Sequence, residues 1–175
     1  LKRQITYSES LKLGEENICS KADIIDNSSS KPNSPPNQDS KIIPVYRVYN
    51  PNSGEHFYTK SNYEAESLKR VGWRREGIGW NSPIKSGSPI YRVYNPNSGE
   101  HFYTKSDYEA ESLKRVGWRR EGIEFYSDSS NKRPTFRLYN KNGGAGSHFV
   151  TMNSYERDHL ISVGWKYEGI AWFGN

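Results

Sequence analysis

YRVYNPNSGEHFYTKSNYEAESLKRVGWRREGIGW, residues 46–80, decides the fold because the chain repeats it. The same stretch returns 45 residues on, at 91–125, and a looser copy runs from Phe136 to Trp172. Over 35 aligned positions the first two copies differ at three, Asn62/Asp107, Gly79/Glu124 and Trp80/Phe125. Such near-identity reads as duplication and cannot rank residues by importance. The third copy has drifted, so what it keeps does the ranking.

Each copy switches periodicity along its length. Tyr46-Arg47-Val48-Tyr49 alternates as a strand, and Phe136 and Leu138 keep bulky apolar groups at the first and third places. That face is expected to point inward, with Arg47 and Tyr49 on the other. The turn NPNSG leads to a second strand, His56-Phe57-Tyr58-Thr59, so a hairpin is expected. In the third copy this turn grows by two residues, to NKNGGAGS, where an insertion costs least. Ser61/Glu64, Ser106/Glu109 and Asn153/Glu156 read as capping boxes, in which the Glu reaches back to the cap. The helix that follows, of about ten residues, is too short to stand alone. Tyr63, Leu68 and Val71 are expected on its packed face, with Glu66, Lys69 and Arg70 outside. Gly72, Gly117 and Gly164 end it, and Trp73 to Trp80 reads as a strand interrupted at Glu76-Gly77. A single unit of this kind cannot bury its apolar face, and stacking neighbours is the remedy. The three copies carry no distinct caps. They therefore predict an α+β fold of three tandem strand-strand-helix-strand repeats (45–89, 90–134, 135–175) closed into a pseudo-threefold ring.

Residues 27–43 read as a flexible Pro/Ser/Asn linker, 1–26 as the tail of an upstream domain or an extension, and 44–175 as the binding domain. Nearly all aromatic residues fall in that last region, and large rings build a core from few side chains. A net charge of +5 favours an anionic or polar partner, but with 20 acids interspersed nucleic acid is not favoured. Cys19 stands alone, which excludes an intramolecular disulfide and a cysteine-based zinc site. No apolar run approaches the ~18 residues of a membrane span, so no membrane partner is expected.

The residues kept across copies divide into core, turns, caps and a polar remainder. Arg47, Tyr49, Asn50, Asn52, His56 and Tyr58 surround the first hairpin; Arg92, Tyr94, Asn95, Asn97, His101 and Tyr103 surround the second; Tyr139, Asn140 and His148 remain in the third. Aromatic faces beside planar polar groups suit a glycan, as they suit any small polar pocket. Trp80, Phe125 and Trp172 fit a sugar-stacking surface or a hydrophobic plug. The histidines fit two readings, a three-His zinc site on a threefold axis or structural bridges to Glu76 or a backbone carbonyl. No metal-motif spacing accompanies them, and no metal or cofactor is expected. Catalytic motifs are absent from the sequence; Glu76 and Glu121 are the carboxylates an enzyme would use. Three near-equivalent sites point to binding, so the chain is expected to be non-catalytic.

The pattern YR-x-YN, a turn, HFYT, a capped helix, GW and EG-[IV] resembles a repeat family catalogued as a domain of unknown function. That family occurs in secreted bacterial and fungal proteins and at the carboxyl end of peptidoglycan hydrolases, as in enterolysin A-like proteins and phage endolysins. The resemblance covers residues 44–175. It implies a cell-wall or carbohydrate-binding module that targets a bacteriolytic enzyme to the Gram-positive wall. The implied partners are a wall glycan or teichoic-acid-type polymer and an upstream catalytic domain, and the implied location is outside the cell or at the wall. Two alternatives stand beside it, a glycan-hydrolysing enzyme using Glu76 and Glu121 and a protein-interaction repeat module. Val150 replaces the Tyr of HFYT, so only two fully equivalent sites are expected.

Overall fold

The computed structural model describes residues 41–175; the expected tail at 1–26 and most of the expected linker lie outside the described residues. Three small antiparallel sheets of three strands each, with one α-helix per repeat and a short 3-10 turn at Gly144–Gly146, make up a mixed α and β fold. The first repeat comprises β1 (Ile42–Tyr49), β2 (His56–Thr59), α1 (Asn62–Arg70) and β3 (Arg74–Pro83). The second comprises β4 (Pro89–Tyr94), β5 (His101–Thr104), α2 (Asp107–Arg115) and β6 (Arg119–Tyr126). The third comprises β7 (Arg133–Tyr139), β8 (His148–Thr151), α3 (Ser154–Ser162) and β9 (Lys166–Gly174). In each sheet the first strand lies in the middle, between its hairpin partner and the last strand. β1 begins inside the expected linker, because Ile42 and Ile43 pair with Pro83 and Ser82. None of the described helices is long and apolar enough to cross a membrane.

The expected interruption at Glu76-Gly77 is a β-bulge. Arg47 pairs with Gly77 and Val48 with Arg75, so Glu76 is the extra residue. Gly77 takes φ +99°, a left-handed value that a glycine adopts without strain, and Gly122 and Gly169 do the same. A second bulge follows in the same strand, leaving Gly79 in β3 and Glu124 in β6 without a ladder partner.

The helix caps differ from the reciprocal box. Ser61 Oγ accepts from the Glu64 amide at 3.1 Å, as expected, but the Ser61 amide donates to Thr59 Oγ1 at 3.0 Å. Thr104 and Thr151 serve Ser106 and Asn153 in the same way. The third-position glutamates are thus released from capping. The packed face also differs: Ala65 is buried, whereas Tyr63 and Val71 are 56% and 65% exposed. Tyr63 and Leu68 are five residues apart, roughly 140° around a helix, and cannot share a face.

Both faces of each sheet are covered. On the helix side of the second repeat, Val93, Phe102 and Ala110 pack with Tyr91, Leu113 and Trp118. The other face, which alternation assigned to Arg47 and Tyr49, also carries Val45, Tyr58 and Trp80. These join Ile90, Tyr103, Phe125, Val150 and Trp172 in one core drawn from all three repeats. The ring centroids of Trp80, Phe125 and Trp172 lie 5.4, 5.5 and 5.6 Å apart, a nearly equilateral triangle. Tyr58 Oη donates to the Val150 carbonyl at 2.7 Å and accepts from the Val150 amide at 3.0 Å. Tyr103 Oη bridges the Tyr58 backbone in the same manner. Tyr58→Phe leaves two buried backbone groups unpaired, and urea denaturation is expected to show a loss of about 1–3 kcal/mol. Val150→Ala should also destabilise, but through a cavity and without touching those bonds.

Candidate functional site

The Arg, His, Thr and helix-start Glu residues kept in every copy gather where one repeat meets the preceding one. Bulging at Glu76 turns its carboxylate to the middle strand, where Arg47 Nε meets Oε2 at 2.8 Å. The same guanidinium crosses to the third repeat and donates from Nη1 and Nη2 to Glu156, both at 3.1 Å. Arg92 repeats this with Glu121 at 2.7 Å and Glu64 of the first repeat at 3.1 Å. Arg137 does so with Glu168 at 2.9 Å and Glu109 of the second repeat at 3.6 Å. Each guanidinium also lies over a Phe of the neighbouring repeat, Arg47 over Phe149, Arg92 over Phe57 and Arg137 over Phe102. Burial raises the Glu156 pKa, but hydrogen bonds from Arg47 and Thr151 outweigh it and hold the carboxyl below its usual range.

His56, His101 and His148 belong to the same seams. His56 sits between Tyr49 and Phe149, His101 between Tyr94 and Phe57, and His148 between Tyr139 and Phe102. His101 Nδ1 meets Glu55 of the first repeat at 2.7 Å, and His148 Nδ1 meets Glu100 of the second at 2.5 Å. His56 differs, because the corresponding position in the third repeat is Ser147, whose carbonyl accepts from Asn140 as that of Glu55 accepts from Asn50. Ser147 instead donates to Glu100 at 2.7 Å, and His56 Nε2 lies 3.6 Å from the Glu76 carboxylate. Burial, with Arg47 nearby, lowers the His56 pKa from 6.5 to about 4.

The sign of that shift fixes a pH dependence. Between pH 4 and 6.5 the unfolded chain binds the proton and the folded chain does not, so stability from this group is full above 6.5 and lost as pH falls toward 4. The expected loss is about 3 kcal/mol across that window. An NMR titration should place the His56 midpoint near pH 4. His56→Gln should flatten the acid limb of the stability profile.

The eighteen candidate residues therefore separate by place. Tyr58, Trp80, Tyr103, Phe125 and Trp172 are all under 4% exposed; they are core, and none offers a ring face to a polymer. This corrects their reading as ligand contacts, since the second sheet face is covered by the other repeats. Arg47, Arg92, Tyr49, Tyr94, Tyr139 and the three histidines lie in the seams. Asn50, Asn95 and Asn140 close their own turns, with Oδ1 accepting from the amides of Asn52, Asn97 and Asn142 at 2.9–3.0 Å. Asn52 and Asn97 are exposed on those turns. No group of three His, Cys, Asp or Glu among the described residues is placed to hold a metal ion.

The sequence reading missed two sets. Thr59, Thr104, Thr151 and the helix glutamates work in the seams; their persistence in the third copy was the available signal, and the capping boxes accounted for the glutamates alone. Tyr63, Tyr108 and Tyr155 are 56%, 77% and 79% exposed, and Ile78, Ile123 and Ile170 are 59%, 44% and 51% exposed. One cleft opens at a seam, between Thr104, Lys105, Ser106 and Glu109 of the second repeat and Arg137, Glu168, Ile170, Ala171 and Trp172 of the third, with a volume of about 180 Å³. No curated protein and no solved structure matches the chain. A family model matches residues 44–175, the span of all three repeats and their seams, and on that match the chain belongs to DUF5648, a domain of unknown function.

Proposed function

We propose that the three repeats close into a pseudo-threefold ring and that this ring is a cell-wall-binding module, the non-catalytic targeting part of a bacteriolytic enzyme acting outside the cell. Closure is supported by the sense of the seams. The second repeat grips the first, the third grips the second, and the first grips the third through Arg47 with Glu156 and Tyr58 with Val150. The observation that carries the binding reading is the exposure of Tyr63, Tyr108 and Tyr155 at one position in all three repeats, each one residue before a seam glutamate. An exposed phenol ring offers an apolar face and a polar tip, which suits a sugar or a repeating polymer. Glu76, Glu121 and Glu168 are each engaged by an arginine, which favours binding over catalysis.

Three weak sites on one ring gain avidity on a repetitive polymer, by a factor of roughly 10²–10⁴ when they engage together. Cosedimentation with purified Gram-positive walls tests this. The intact chain should pellet, each single Tyr→Ala variant should pellet less, and the variant lacking all three tyrosines should stay in solution. A chain that pellets with no wall preparation would remove the proposal.

A further inference from the structure

One of the three differences between the near-identical copies is Gly79/Glu124, and the third copy has Ala171 there. This is the second bulge position, and its side chain faces the preceding repeat. In the second repeat it supplies a carboxylate. Glu124 Oε1 accepts from Thr59 Oγ1 and from the Lys60 amide, both at 3.1 Å. Its Oε2 lies 3.3 Å from Arg92 Nη1, and the residue is 9% exposed. A carboxylate is thus held by a hydroxyl, a backbone amide and a guanidinium. At the next seam Ala171 contributes only a methyl group, and the cleft of about 180 Å³ opens beside it. Each group that grips Glu124 has a counterpart lining that cleft: Thr104 for Thr59, Lys105 for Lys60, Arg137 for Arg92.

We propose that the cleft beside Ala171 binds the carboxylate of an external ligand, in the position that the Glu124 side chain fills at the seam between the first and second repeats. The two seams show how the site adjusts. Beside Ala171, Thr104 donates to Glu109, the helix glutamate. Beside Glu124, the equivalent Thr59 donates to Glu124 instead, and Glu64 keeps only its bond to Arg92. Ligand binding exchanges one acceptor of Thr104 for another. The charge count has a precedent too: Arg92 serves three carboxylates, while Arg137 meets two, leaving it one short of its homologue. Charge-assisted bonds from a fixed guanidinium favour a carboxylate over a neutral amide of the same shape. The site does not rest on the wall-binding reading.

The test is an amide-resolved NMR titration of the whole chain with propionate, which matches the Glu side chain beyond Cα, against propionamide and against sodium chloride at equal ionic strength. Propionate should shift the Thr104 and Lys105 amides saturably, with half-saturation on the order of 1–10 mM, and propionamide should not. Ala171→Glu supplies the carboxylate internally and should abolish the response. Glu124→Ala should create a second responsive site at Thr59 and Lys60, and propionate should raise the melting temperature of that variant. Unmoved Thr104 and Lys105 amides, an equal response to propionamide, or shifts that survive Ala171→Glu would overturn the proposal. Should Ala171→Glu fail to fold, the Glu124→Ala titration decides, and indifference of that variant to propionate overturns it. N-acetylalanine and glucuronate then separate a peptide-borne from a sugar-borne carboxylate, and failure of both to move these amides would also overturn it. Propionate binding without wall sedimentation would keep the cleft and remove the wall reading; wall sedimentation without propionate binding would do the reverse.

Discussion

Arg92→Met will destabilise the protein by about 3–5 kcal/mol, more than the same change at Arg47 or Arg137. Arg92 is 5% exposed, and it faces Glu64, Glu121 and Glu124 at 3.1, 2.7 and 3.3 Å. Burial works against its charge, but Tyr103 and the three glutamates raise its pKa, so the guanidinium stays charged at any ordinary pH. Removing it leaves three carboxylates crowded in a dry seam. Desolvation is then uncompensated, which costs far more than the pair gained when it formed. Arg47 meets two carboxylates, and its side chain is 19% exposed, so water relieves part of the same loss. Urea denaturation of the three Arg→Met variants should rank Arg92 first. Adding Glu124→Ala to Arg92→Met should restore a measurable part of the stability, since it removes one of the stranded charges.

Trp172→Ala is the second large expected effect, again about 3–5 kcal/mol, for a different reason. Trp172 is fully buried and stands 5.6 and 5.5 Å from Trp80 and Phe125, so its removal opens a cavity against rings from both other repeats. Collapse around that cavity is limited, because each neighbouring ring is held by its own sheet. Trp172→Phe should cost about 1 kcal/mol or less. Phe125 already fills the matching place in the second repeat, and the Trp172 indole N–H has no hydrogen-bond partner to lose. If Trp172→Phe proved as damaging as Trp172→Ala, ring volume would not be what this position supplies.

Much of the local fold was legible in the chain, and the reason is physical. Gly72, the NPNSG turn and the Ser61/Glu64 spacing each act through backbone geometry within a few residues, so a short window contains their whole cause. The hairpin, the helix start and the bulge at Glu76-Gly77 stand where those signals put them. Burial on the second sheet face depends on partners about 45 or 92 residues away, as in Tyr103 with Tyr58 and Tyr58 with Val150, and no local window holds that cause. Tyr58, Trp80, Tyr103, Phe125 and Trp172, which looked free for a ligand, were therefore core. Glu64 was misread for a related reason: its spacing to Ser61 is that of a cap, yet Thr59 already serves the cap amide and an arginine 28 residues on claims the carboxylate. The seam itself was written in the sequence as retained Arg, His, Thr and Glu, but only the placement of one repeat against another shows that these residues meet. Gly79/Glu124/Ala171 carried the sharpest message, a position whose variation has meaning only once its neighbours across the seam are known.

Among the contacts that join the first repeat to the third is the pair Arg47 and Glu156, and a double-mutant cycle on that pair tests the central claim most directly. Stabilities of the parent, Arg47→Met, Glu156→Gln and the double variant give the coupling energy free of each residue's other contacts. Closure predicts a coupling of about 1–3 kcal/mol, as for a partly buried, doubly hydrogen-bonded pair. Additive losses, with coupling indistinguishable from zero, would mean that the first and third repeats do not meet and would contradict the ring.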